Sequence, residues 1–217
     1  MIGKKILLGI SFLLVSFVLI SCSTNKPQAT SQLIPVYSSS AAEPWLTELY
    51  DCAAQQNGVV LSRVDDPNTA EIAVRVGEPE FLASPAYQID EEEILVVSSR
   101  VSPLGNLTLE QAQALFSNLG NPIVQVWRYA SGSDVQEVFE QLVMEGRSVA
   151  PSTNIASTPQ QMSDILVSQE NTVGILPRHW RVGDAREVYI VGKVPVLALT
   201  KSEPQGVINQ LIACLQK

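Results

Sequence analysis

Two serine-bearing bends and two arginines are the residues of this chain whose types and spacing suit one chemistry, the holding of a small oxyanion. Ser131-Gly132-Ser133 stands between a strand-like run and a helical one. The first amides of a helix have no partner within it and carry roughly half a positive charge, so a turn of this kind holds an oxyanion without any cation. Gly132 lets the backbone approach a guest, and the hydroxyls of Ser131 and Ser133 add donors. Ser38-Ser39-Ser40 occupies the corresponding place after the first strand-like run. Arg75 and Arg128 each end such a run, and a guanidinium fork holds two oxygens at once. Plainer readings stand beside these: serines before helices serve as N-caps, and Arg75 has Glu78 as a surface partner.

Other chemistries find little to work with. The single histidine, His179, lies in Pro177-Arg178-His179-Trp180 with no cysteine or second histidine to share a metal, which makes it a surface or boundary residue and leaves no metal site. The chain has no Gly-x-Ser-x-Gly elbow, phosphate loop, dinucleotide fingerprint or His-Glu-x-x-His, and its one Ser-x-x-Lys, Ser23 to Lys26, lies where no pocket forms. Neither an enzyme nor a cofactor is expected. With 14 basic against 22 acidic residues, a net charge of −8 and no basic block, the chain lacks the footprint of a nucleic-acid binder. At 217 residues, 46% of them hydrophobic and 17% charged, it fits a globular protein of one or two modest domains. The acidic run Asp90 to Glu93 reads as a solvated loop.

The N-terminus reads as processing signal. Lys4 and Lys5 precede an apolar run from Ile6 to Ile20, followed by Ser21-Cys22. At about 1.5 Å per residue that run covers about 22 Å, short of a hydrocarbon core of about 30 Å. Charge, apolar stretch, small residue and cysteine in this order resemble a bacterial lipoprotein signal. The resemblance implies a signal peptide over residues 1–21, cleavage before Cys22, acyl chains on Cys22, and a membrane anchor on the extracytoplasmic face. Residues 22–32, polar throughout after the cysteine, form a flexible tether.

From Leu33 the chain alternates strands with helical periods, the pattern of an α/β fold. Strands are expected at Leu33–Tyr37, Val59–Val64, Ala70–Val76, Ile94–Ser98, Ile123–Trp127, Thr172–Leu176, Glu187–Val191 and Val194–Leu199. Helices are expected after Glu43-Pro44 with Trp45, Leu49 and Cys52 inward, and after the capping box Thr108–Gln111 with Leu109, Ala112, Leu115 and Phe116 inward. Others follow at Asp134 with the stripe Val135, Phe139 and Leu142, after Thr158-Pro159, and from Pro204 to Leu215.

Several segments, in order, resemble phosphate-type solute-binding proteins of the type II periplasmic-binding-protein superfamily. Ile94-Leu95-Val96-Val97 followed by Asn106–Gln111 and Leu115-Phe116-Ser117 is similar to their crossing into the second lobe. Arg128 with Ser131-Gly132-Ser133 resembles their arginine and Ser-Gly-Thr anion loop, and Val173-Gly174-Ile175-Leu176-Pro177 their Val-Gly-Tyr strand. Pro195 to Leu199, a Lys-x-x-Pro turn and a last helix resemble the crossing back. The resemblance implies a two-lobed α/β protein with two hinge-crossing strands, residues 33–97 plus 194–217 forming one lobe and 98–193 the other. It implies a monomer that grips a small, anionic ligand in the cleft and presents it to the permease subunits of an ABC-type importer. Ser38, Ser39, Ser40, Arg75, Arg128, Ser131, Gly132 and Ser133 are the ligand-binding candidates. A sensor or adaptor lipoprotein with a degenerate or different site is the alternative.

Departures bear on the ligand. Ser133 replaces the family's threonine and Asp134 follows it at once, while Arg75-Val76-Gly77-Glu78 replaces a Ser-Asp pair. Asp134 would repel a dianion unless it faces away or accepts a ligand proton. Cys52 and Cys214 lie on the apolar stripes of the first and last helices. They are either two buried thiols or a bridge, and the resemblance, which brings the last helix back onto the first lobe, favours the bridge in an oxidising compartment.

Overall fold

Eight strands of a computed structural model that describes residues 31–216 make one mixed sheet. The expected signal peptide, Cys22 and the expected tether as far as Thr30 lie outside the described residues. The strands are β1 (Gln32–Ser38), β2 (Val59–Arg63), β3 (Ile72–Val76), β4 (Ala86–Ser98), β5 (Gln125–Tyr129), β6 (Asn154–Ala156), β7 (Thr172–Pro177) and β8 (Arg186–Thr200). Their order across the sheet is β2-β1-β3-β8-β4-β7-β5-β6. One end is the parallel set β2-β1-β3, and the other is the parallel set β7-β5-β6. Between them run β4 and β8, 13 and 15 residues long and antiparallel to each other, β8 bordering the first set through β3 and β4 the second through β7. Two shared long strands joining two parallel sets is the topology that the resemblance implies for crossing strands.

Local signals set most helix starts. Helix α1 (Glu43–Ala54) opens with proline in its first turn and buries Trp45, Leu49 and Cys52. Helix α2 (Leu109–Phe116) carries the reciprocal capping box between Thr108 and Gln111. Helix α3 (Asp134–Phe139) is capped by Ser133, and α4 (Pro159–Ser168) by Thr158. Helix α5 (Gly206–Leu215) returns to lie against α1, which brings Cys52 and Cys214 together as a pair with their Cα atoms 6.1 Å apart. The core runs through both ends of the sheet, and the rings of Phe116 and Phe139 meet at 4.4 Å between centroids.

Four expectations need correction. The first strand starts at Gln32, one residue before the expected Leu33. Glu187–Val191 and Val194–Leu199 are a single strand, because β4 goes on pairing through Gly192 and Lys193. After Phe139 the chain widens into a π turn, Glu140–Met144; the added residue per turn moves the buried positions to Val143 and Met144 and leaves Leu142 exposed. The acidic run Asp90 to Glu93 lies inside β4 and is no solvated loop. Strand alternation explains why it is tolerated there. Glu91 pairs with Lys193, Glu93 with Arg178, and Asp90 accepts from the Trp45 indole at 2.9 Å.

Glu92 is the exception, buried at 3% exposure. One of its oxygens accepts the Glu93 amide at 2.8 Å, and Oε2 lies 3.2 Å from Nδ1 of His179, whose ring packs on Trp45. Burial raises its proton affinity above the ordinary value of 4.5, against the lowering by backbone amides and His179. The folded protein therefore binds this proton more tightly than the unfolded chain does. The stability it contributes is full below the ordinary carboxylate range and is lost as pH rises through and above that range. Glu92→Gln should accordingly raise the melting temperature near neutral pH, with the gain over wild type shrinking below about pH 4. Melting curves across that interval check the sign.

Candidate functional site

The bend after β1 and the turn after β5 face each other. Ser39 donates its amide to the Val74 carbonyl at 3.0 Å, which ties the first bend to β3, and its Oγ accepts the Ala42 amide at 3.3 Å as α1 begins. On the other side Ser133 closes a turn onto Ala130 at 3.2 Å through Gly132, whose φ of +87° is open to glycine at little cost, and its hydroxyl takes the Gln136 amide at 3.3 Å. Between them lies a cavity of about 240 Å3, lined on one side by Tyr37, Ser39, Ser40 and Arg75 and on the other by Gly132, Ser133 and Asp134. Five of the eight sequence candidates thus line one space: Ser39, Ser40, Arg75, Gly132 and Ser133.

The other three point elsewhere. Ser38 is the last residue of β1, buried at 4% exposure with its hydroxyl donating to the Ser39 carbonyl at 2.9 Å. Ser131 is exposed and does not line the cavity. Arg128 is a correction with a clear cause. Strand β5 runs to Tyr129 and no further back than Gln125, so Arg128 lies within the strand beside β6. Its Nε donates to Thr153 Oγ1 and a terminal nitrogen to the Tyr129 carbonyl, both at 2.9 Å.

The strongest group in the cleft is a carboxylate. Asp134, 6% exposed, turns inward: Oδ2 accepts the Ser39 hydroxyl at 2.5 Å and the Val76 amide at 2.9 Å, while Oδ1 accepts the Val135 amide at 2.9 Å. Arg75 also has a partner other than the expected Glu78. It pairs with Glu137 at 2.7 Å, one turn further along α3, and its Nε donates to the Gly77 carbonyl at 3.1 Å. Two phenols sense this charge. Burial pushes Tyr37 above its ordinary value, with Asp134 adding to the rise and Arg75 and Arg63 opposing it. Burial, then Asp134, pushes the fully enclosed Tyr129 well above its own. The cleft therefore offers hydroxyl and guanidinium donors around one strong acceptor. Among the described residues no group of three or more His, Cys, Asp or Glu is arranged to hold a metal ion.

The sequence flagged Asp134 only as a conflict with a dianion, and gave no sign of Glu137. The available signal is their spacing, three apart at the start of a helix, which puts both on one face.

No protein-family model matches the chain, and no curated protein matches it. Solved structures do. A protein assigned as a phosphate ABC transporter substrate-binding protein, with bound phosphate, from Clostridium perfringens superposes with a TM-score of 0.73 at 15% identity, over 85% of this chain and 93% of that one. An ABC-type phosphate transport receptor from Vibrio cholerae gives 0.66 at 16% identity, over 86% and 94%. The CcmR regulatory domain of Synechocystis PCC6803 in complex with 2-PG gives 0.62 at 11%, over 85% and 95%. The protein thus has a mixed α/β, type II periplasmic-binding-protein-like fold. At these identities the likeness is one of fold, shared by transport receptors and by a regulatory domain.

Proposed function

We propose that this chain is a lipid-anchored, extracytoplasmic solute-binding protein that delivers a small oxyanion to an ABC-type importer. Residues 33–97 plus 194–217 and residues 98–193 act as its two lobes, hinged on β4 and β8. One observation carries the reading: a donor-bearing bend from each parallel strand set opens onto the same cavity, with Arg75 on its wall. The leader and Cys22 support the anchor, and the joining of Cys52 to Cys214 fits an oxidising compartment.

Asp134 favours a guest that keeps a proton. A fully ionised dianion meets carboxylate repulsion in a half-enclosed site, whereas an oxyanion that keeps a proton gives Asp134 something to accept. Phosphate near neutral pH fits this description, and sulfate, which carries no proton there, does not.

A second reading, a sensor or adaptor with the same fold, is favoured by one fact: Asp134 and Glu137 already engage Ser39, Val76 and Arg75. Titration calorimetry on the chain starting at Ser23 separates the two, using phosphate, sulfate, molybdate, phosphonates and small carboxylates. The uptake reading predicts heat with phosphate, little with sulfate, and at least a tenfold weaker affinity in Arg75→Gln. Silence across the panel removes it and leaves the sensor or adaptor.

A further inference from the structure

We infer that one face of α3 is a built-in latch, which holds the cleft closed through the same donors that a ligand would use. The inference rests on the solute-binding reading for its consequence, but not for its geometry. Asp134, Glu137 and Val138 stand at positions i, i+3 and i+4 of the helix, and so share a face. That face meets three successive residues, the last two of β3 and Gly77 just beyond it. Glu137 pairs with Arg75, Asp134 accepts the Val76 amide, and Val138 packs on Gly77. The last contact is very close: a Cβ on Gly77 would lie 2.3 Å from Val138 Cγ2, and Gly77 has a φ of +74°. Only glycine meets both demands, so the end of β3 is shaped to receive the helix.

Two of the latched groups, Ser39 and Arg75, also line the cavity as anion donors. An incoming oxyanion therefore competes with Asp134 for the Ser39 hydroxyl and with Glu137 for the Arg75 guanidinium. A ligand shifts a conformational equilibrium only by its differential affinity for the two states, and a site populated in a competent form only part of the time binds more weakly in proportion. The latch thus biases the ligand-free protein towards closure and lowers its apparent affinity. A membrane partner that reads the closed form would meet it before any solute arrives.

Amide hydrogen exchange on the ligand-free chain starting at Ser23 tests this, with the Val76 amide as reporter because it donates to Asp134. The latch predicts slow exchange at Val76 in wild type. In Glu137→Ala it predicts exchange at least tenfold faster there, with the core amides of β7 unchanged. Gly77→Ala, which forces Val138 away, should accelerate the same amide by an independent route. Fast exchange at Val76 in wild type, or no change in both variants, overturns the inference. Because no ligand is present, these outcomes are separate from the calorimetric test of solute binding. Where phosphate binds, Glu137→Ala should bind it several-fold more tightly, and an unchanged or weaker affinity contradicts the competition.

Discussion

Phe139→Ala is expected to cost about 3–5 kcal/mol of stability and to loosen the cleft with it. Phe139 has no exposed surface and ends α3 against the ring of Phe116. Removing its ring leaves a cavity between α2 and α3 that the surrounding β-sheet residues are too constrained to fill. Because the same short helix carries Asp134 and Glu137, a shift of its anchor is felt at Ser39 and Arg75 as well. Urea unfolding read by tryptophan fluorescence should show the midpoint falling with little change in slope. A loss under about 1 kcal/mol would mean that α3 is not seated on Phe116 as described.

The double replacement Cys52→Ser with Cys214→Ser is expected to be comparably severe. The two cysteines are 162 residues apart in sequence, so a bridge between them closes nearly the whole fold. In the chain-entropy model a loop of that length stabilises by about 5 kcal/mol. For a domain of this size that corresponds to a melting temperature lower by on the order of 10 °C. Wild type melted with reductant should follow the double variant, and wild type without it should not. Identical melting in all three conditions would show that α1 and α5 hold together by packing alone.

What the sequence made legible was mainly local. Capping at Thr108, Ser133 and Thr158 needs only neighbours within one turn, and each cap forms. The two serine bends were found because each follows an apolar run and precedes a helical period, and five of the eight candidate residues line the shared cavity. The errors come from partners far away in sequence. Asp134 reaches Ser39 across 95 positions, and Arg75 reaches Glu137 across 62, distances over which spacing carries no information. Arg128 lies away from the cavity because the strand ends two residues later than its apolar run suggests, which aims its guanidinium at Thr153. The run Asp90 to Glu93 has the composition of a loop, and its pairing with β8, a hundred or more positions away, makes it a strand, with Lys193, Arg178 and Trp45 answering its carboxylates. Leu142 followed a helical period that the π turn breaks. The donor chemistry of the cleft could be read from residue types, but the carboxylates that answer it emerged only from the packing of α3 on β3.

The proposed function requires that the two serine bends hold a common guest. Titration of phosphate into the 15N-labelled chain starting at Ser23, followed by amide chemical shifts, tests it most directly. The amides of Ser39, Ser40, Val76, Gly132 and Ser133 should move together along one saturating curve, while those of β6 stay in place. Shifts confined to the Glu92–His179 side, or none at saturating phosphate, would contradict it.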